Sequence, residues 1–355
     1  AADMYEEDIT IDIDLEDLYE IEWDAEIMQL GEIAASIFDI VEASQIFDDE
    51  ADLTEVTIDG DLVSDLFDEI GESDLVNLAA YVAIEPILEM AGETAQAIIT
   101  VPADIVWADE FAAIGTMAGE FFNTGVTIGD LESGDPMVLL TTMADMNFTV
   151  ILNSRIVTNA LINILSGEAD LGIDLSVISI PANIVWLDEL DGDGNIIANG
   201  ELRNILLAIN ALASQVENLD FENFQISSIA DLDVDAINTI FESRILVATI
   251  TDLIKDLDFG DFNVVIPDSV FDEDGYILKL ELQNVVDAVH MATTELACDP
   301  DDTECESLGF DFTKALTLDE DNIDILLESE ILSATVGKML IDMGGDVLVV
   351  PSTAT

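Results

Sequence analysis

A mainly α-helical fold built from tandem repeats of about 83 residues is predicted by three observations. A phrase of Val or Ile, Pro, a few apolar residues, an aromatic and an acidic turn recurs as Val101-Pro102 to Trp107, Ile180-Pro181 to Trp186, Ile266-Pro267 to Phe271, and Val350-Pro351. Its prolines fall 79, 86 and 84 residues apart, and Trp23 precedes Trp107 by 84. An apolar stripe at helical spacing follows the phrase, and a denser apolar run precedes it. Units of this size cannot bury their apolar faces alone and must stack on neighbours.

The segment Ile9-Thr10-Ile11-Asp12-Ile13-Asp14-Leu15 alternates apolar and polar residues, the period of a strand, and is expected to pair with an edge on another subunit. Trp23 opens the aromatic-and-helix half of a repeat that lacks its proline. A helix within Leu75 to Met90 follows, with Pro86 expected to kink or end it. Later copies of this long helix share a core phrase, Ser154-Arg155-Ile156-Val157, Ser243-Arg244-Ile245-Leu246 and Ser329-Glu330-Ile331-Leu332. Around the second, Ile237, Ile240, Phe241, Ile245, Ala248, Ile250, Leu253, Ile254 and Leu257 predict one long buried helix, covered on most sides. The β-branched runs Val177 to Ile180 and Asn263 to Ile266, each ended by proline, predict one short strand or extended connector per repeat. An amphipathic helix comes next, its stripe being Leu202, Ile205, Leu206, Ile209 and Leu212 in one copy and Leu282, Val285, Val286 and Val289 in the next. Intervening acidic segments such as Val216 to Asp235, with Phe221 and Phe224, are expected to be ordered loops. The boundaries expected are 1–50 for an N-terminal strand and half-repeat, 51–125, 126–215 and 216–297 for three repeats, and 298–355 for a truncated fourth.

Seven Lys plus Arg face 78 Asp plus Glu, a formal net charge of -71, so nucleic acid and anionic membrane surfaces carry the wrong sign to be partners. Half the residues are hydrophobic, which sets the chain apart from acidic disordered sequences. The acid therefore lies on surfaces, where neighbouring carboxylates repel by about 1 kcal/mol even in water and cations relieve them. Membrane insertion is not expected: the most apolar 20-residue window, Met146 to Leu165, holds Arg155 and four Asn. The first residues lack the regions of a signal peptide, which is expected to be absent or removed. Cys298 and Cys305 flank an acidic loop with no His beside them, which suggests a local disulfide and an oxidising, extracellular setting; two unlinked thiols are the other reading.

One pattern carries chemistry. Asp272, Asp274, Gly275, Ile277 and Glu281 have the spacing of alternate carboxylates around a cation, a glycine for the sharp turn, and a glutamate in the first helical turn to close the shell. Glu189, Asp191, Asp193, Gly194, Asn195, Ile196 and Glu201 repeat it with one extra residue before the closing Glu. Over 270–282 and 189–202 the chain resembles the EF-hand calcium loop with its exiting helix, although Val270 stands at the loop's first position and an extended run replaces the entering helix. The resemblance implies weak Ca2+ binding, on the order of 0.1 to 1 mM, by Glu189, Asp191, Asp193, Asn195, Glu201, Asp272, Asp274 and Glu281. Helix capping by the same carboxylates is the alternative. The earlier turns, Asp24 to Glu32 and Asp109-Glu110 to Glu120, keep the closing Gly-Glu and lose the inner carboxylates.

His290 is the sole histidine and has no partners for catalysis, and no nucleophile stands at a recognisable spacing from a base, so an enzyme is not expected. Arg155 and Arg244 occupy equivalent positions and are expected to form an ion pair or helix-end contact within each repeat; Trp23, Trp107 and Trp186 are expected as core anchors between modules, with a sugar-binding face of stacked aromatics as the alternative. The sequence thus predicts an extracellular or cell-surface structural repeat protein, a subunit of a filament, sheath or surface layer, stabilised by cations. Its partner is a second copy of itself, with Val347 to Pro351 of one subunit docking head to tail at the Trp23 half-repeat of the next. The alternative is a covalent segment of a long cell-surface adhesin or binding module, monomeric in isolation.

Overall fold

The computed structural model describes residues 15–45, 53–133, 146–167, 178–192, 195–213, 215, 233–256, 258–259, 262–295, 314 and 318–344. The fold is mainly α. Contacts divide the chain into two compact units, Ala1–Leu175 and Ser176–Thr355.

In the first unit, α1 (Leu15–Glu20) and the long α2 (Trp23–Ser44) precede α3 (Gly60–Glu72), α4 (Asp74–Ala91) and α5 (Glu93–Ile98). Then come α6 (Trp107–Asn123), α7 (Ile128–Ser133), a 3-10 turn (Phe148–Asn153) and α8 (Arg155–Leu165). Its most extensive helix pair is α3 against α6. Small residues bring the two backbones together: a side chain built on Gly115 would place its Cβ 2.4 Å from Phe67 Cβ, and one on Gly119 would lie 2.8 Å from the Gly60 carbonyl oxygen. Asn123 reaches across the pair, accepting from the Gly60 N–H at 3.1 Å and donating to Asp61 at 2.9 Å. Beyond it, a Thr57–Thr127 bridge joins the flanking segments.

The second unit contains the hairpin β1 (Glu189–Leu190) and β2 (Ile196–Ala198), then α9 (Glu201–Ala213), α10 (Val234–Ile240) and α11 (Arg244–Asp256). A second hairpin, β3 (Asp258–Phe259) and β4 (Phe262–Asn263), precedes α12 (Lys279–Glu295), α13 (Glu320–Glu328) and α14 (Glu330–Gly344). Ile237, Phe241, Val270, Ile277, Leu282 and Ile331 form its core, with Val247, Ile250 and Ile254 of α11 packed against them. Burying each such side chain contributes about 1.5–3 kcal/mol. Thr251 is fully buried at its edge, and its hydroxyl accepts the Ile277 N–H at 3.0 Å.

Two expectations change. The single long helix over Ile237 to Leu257 is two helices, α10 and α11, separated by Ser243, because the serine caps a new helix instead of continuing the old one. The same break occurs at Ser73 between α3 and α4 and at Ser329 between α13 and α14, with extended backbone at both. Burial is also narrower than expected: α11 buries Ile245, Ala248 and Thr251 along one stripe and leaves Leu253 exposed, and α4 buries only Ala83. Pro86 lies inside α4 without ending it.

Ahead of Pro181 and Pro267 the chain is an extended connector, and each connector is hydrogen-bonded to a helix downstream, the first also through the Ser179 hydroxyl, which donates to Asp252 at 2.5 Å. Ser179 N–H donates to Thr249 of α11, and Val265 N–H donates to Thr335 of α14, both at 3.0 Å. In the first unit Asn163 of α8 donates to the Ile98 carbonyl at 2.9 Å and to Thr100 at 3.1 Å. The N-terminal alternating segment 9–14, the loop 216–232, Cys298, Cys305 and the segment 347–351 lie outside the described residues.

Candidate functional site

Among the described residues, most of the deeply buried polar groups belong to one arrangement, formed four times. Glu26, Glu110, Glu201 and Glu281 are 3 to 5 % exposed, and Ser73, Ser154, Ser243 and Ser329 are 0 % exposed. Each glutamate stands in the first turn of a helix and reaches the start of another helix 42 to 48 residues later. Ser73 Oγ donates to Glu26 Oε1 at 2.5 Å, and the Asp74 N–H donates to Oε2 at 3.0 Å. Ser154 Oγ donates to Glu110, whose two oxygens also accept the Arg155 and Ile156 N–H groups at 3.0 and 3.1 Å. Glu201 takes Ser243 Oγ at 2.5 Å, Arg244 N–H at 3.1 Å and Ile245 N–H at 2.9 Å. Glu281 takes Ser329 Oγ at 2.7 Å, Glu330 N–H at 3.1 Å and Ile331 N–H at 2.9 Å.

The chemistry closes on itself. A helix start leaves four backbone N–H groups without intrahelical partners. Here the glutamate takes the first and, in three of the four copies, the second. The serine oxygen accepts the third, from Val76, Val157, Leu246 and Leu332, at 3.1 Å in every copy. The fourth, the serine's own N–H, donates to the Ile70, Ile151 and Ile240 carbonyls at 3.2 Å in three copies, and the serine carbonyl accepts the first regular helix bond, from Asn77, Thr158, Val247 and Ser333, at 3.0 Å. A buried carboxylate costs several kcal/mol unless it is paired or hydrogen-bonded, and the donors and the positive end of the helix dipole offset that cost. Three residues beyond the glutamate an amide adds a further tie: Gln29 donates to the Glu69 carbonyl at 2.9 Å, Asn204 to Glu242 at 3.1 Å, and Asn284 to Glu328 at 2.9 Å.

These clamps join residues on either side of the boundaries expected at 50, 125, 215 and 297. The hydrogen-bonded groupings are α2 with α3 and α4, α6 with α8, α9 with α10 and α11, and α12 with α13 and α14. The counterparts of Glu201 and Glu281 are Glu26 and Glu110, and not Glu32 and Glu120, which the Gly-Glu pairing had aligned with them.

The residues of the calcium-like turns are divided between two places. Asp272 accepts the N–H groups of Asp274 and Tyr276 at 3.0 and 2.9 Å, with Gly275 at φ 86° completing the turn. Asp274 pairs with Arg244 at 2.5 Å. Glu281, the expected closing ligand, is directed into the clamp on Ser329. In the other turn Glu189 is exposed in β1, and Asp191 accepts from the Asn195 backbone N–H at 2.8 Å and side-chain amide at 3.0 Å. Glu201 is directed into its clamp, and Asp193 lies outside the described residues. Asp188, which the sequence reading did not single out, accepts the Gly200 N–H at 2.8 Å and Arg203 Nε at 2.7 Å. Among the described residues no group of three or more His, Cys, Asp or Glu side chains is placed to hold a metal ion.

Arg155 pairs with Asp104 at 2.9 Å, and its hydrogen bond holds the Asp104 carboxyl below the usual carboxylate range. The Thr127 N–H, with help from the Thr127 hydroxyl, does the same for Asp130. The Arg155–Asp104 pair is a surface contact of small energetic weight. The Trp107 and Phe111 rings lie 5.7 Å apart at a 36° tilt, whereas Trp23 is half-exposed and donates to the Leu18 carbonyl. His290 lines a shallow cleft with Val234, Val286 and Met291. No described helix is long and apolar enough to cross a membrane. Comparison with family models, with curated proteins and with solved structures found no match for this chain.

Proposed function

We propose that this chain is a non-catalytic structural protein: a subunit that joins other copies of itself head to tail in an extracellular filament, sheath or surface layer, with cations relieving its surface charge. The observation that carries the reading is the fourfold clamp. The buried glutamates, side chains that can serve as catalytic acids or bases, are instead engaged in holding helix starts. A net charge of -71 suits a surface that associates when screened. Placement outside the cell rests on the Cys298 and Cys305 pairing expected from the sequence. Sedimentation and electron microscopy of the purified chain test the reading, with salt or calcium added stepwise. Concentration-dependent growth into elongated particles is expected; a monomer at every concentration and ionic strength would overturn it.

A further inference from the structure

We infer that α2 of one copy seats α13 of a second copy, in the manner in which α3 sits on α6 within the chain. The inference rests on the assembly reading above and names its contact.

The template is internal. Aligned on their clamp glutamates, α2 and α6 share Trp23 with Trp107, Glu26 with Glu110, Gly31 with Gly115, Ala35 with Gly119 and Phe38 with Phe122. In α6 the small residues are buried, because Phe67 and Gly60 of α3 lie directly over them. In α2 the same positions face open space: a Cβ on Gly31 would meet nothing within 4 Å. Around that gap Ile27 and Met28 are each 65 % exposed and Phe38 is 68 % exposed, all on the face that carries Gly31 and Ala35. Apolar side chains gathered on one helix face mark a contact surface more strongly than the same residues scattered.

The matching occupant is on the chain as well. Aligned on their cap serines, Ser73 and Ser329, α3 and α13 share Asp65 with Asp321, Asp68 with Asp324, Ile70 with Leu326 and Glu72 with Glu328. The position of Phe67, which covers Gly115, is Ile323 in α13, and that of Gly71, where a Cβ would lie 3.0 Å from the Ala108 carbonyl oxygen, is Leu327, so α13 sets its larger side chain over the seat at a wider spacing than α3 keeps from α6. Ile323 and Leu327 are 41 % and 61 % exposed, one helical turn apart on one face. Among the described residues of its own unit each helix keeps this face exposed, the seat in α2 and the knob in α13, and one copy of each contact leaves the other free, so the association is heterologous and propagates. Both helices are acidic, as α3 is, and Asp321 and Asp324 take the exposed places that Asp65 and Asp68 hold beside α6. Screening by salt or divalent cations is thus a condition of the contact.

Gly31→Leu and Leu327→Asp test it in the full chain. Gly31→Leu fills the seat with a better helix former at a site open within its own copy, so folding is retained or improved. By sedimentation equilibrium in screening salt, each variant alone is expected to weaken association at least about tenfold. Mixed in equal amounts, the two restore one contact per pair and give a dimer that grows no further. If wild type assembles and both variants assemble equally well, this interface is wrong while the structural reading stands. If wild type does not assemble at all, both fall. Circular dichroism melting of each variant separates a lost contact from a lost fold.

Discussion

Glu281 and Ser329, 48 residues apart, meet at 2.7 Å in the interior and together satisfy the first three N–H groups of α14. Glu281→Ala leaves the Glu330 and Ile331 N–H groups and the Ser329 hydroxyl without their acceptor, at about 1–3 kcal/mol each, so a loss of about 3 kcal/mol or more in urea denaturation is expected. Ser329→Ala should cost about 1–2 kcal/mol, the usual range for a lost cap. The double variant should cost less than the sum, because both residues serve one network. Glu32→Ala, at an exposed position outside any clamp, should change stability by no more than about 0.5 kcal/mol; equal losses at Glu32 and Glu281 would contradict the assignment.

Glycines at equivalent helix positions should respond in opposite senses. Gly115→Ala drives a methyl into Phe67 of α3 and is expected to destabilise by about 1–3 kcal/mol. Gly31→Ala meets nothing and should stabilise by about 0.5–1 kcal/mol through helix propensity. Thermal melting of the two variants decides the point, and a stabilised Gly115→Ala would mean that α3 and α6 are not in close contact.

Acid should act on Asp104 in a defined direction. The Arg155 hydrogen bond depresses its folded-state pKa, so its stabilising effect is present above the ordinary carboxylate value of about 3.9 and is lost as pH falls through the depressed one. Arg155→Gln should return the Asp104 titration, followed by carboxyl NMR, toward the ordinary value while Asp130, held by Thr127, stays where it is. Parallel movement of both residues would show that general surface charge, and not the Arg155 contact, sets Asp104.

Calcium should stabilise mainly by screening. Glu201 and Glu281 are held in clamps, and Asp274 already pairs with Arg244. Calcium and magnesium at matched ionic strength are therefore expected to raise the melting temperature alike. A rise specific to calcium, abolished by Asp272→Ala, would show that the turn binds the ion on its own.

Helix content was legible because apolar periodicity is a local signal. The stripe Leu202, Leu206 and the partners of Leu282 behave as their spacing suggested. The clamp was not legible for a physical reason: it pairs residues 42 to 48 positions apart, and a glutamate in a first helical turn looks the same whether it faces solvent, a cation or another helix. The Gly-Glu pairs at 31–32, 119–120 and 200–201 then misdirected the alignment. Gly119 serves close helix contact, whereas Gly200 follows the inserted β1–β2 hairpin, where its N–H is held by Asp188. The clearer signal was Trp-x-x-Glu, shared by Trp23–Glu26 and Trp107–Glu110. Likewise Ser243 was read inside one helix because the apolar residues on both sides continue the same period, and only its side-chain bond to the Leu246 N–H reveals the break.

Amide hydrogen exchange at Glu330 and Ile331 bears most directly on whether the buried glutamates are structural. In wild type these two N–H groups should be protected to the same degree with calcium or with a chelator present, and Glu281→Ala should expose them while leaving Arg244 and Ile245 protected by Glu201. Rapid exchange at Glu330 and Ile331 in the wild-type chain, or protection that vanishes when calcium is removed, would contradict it.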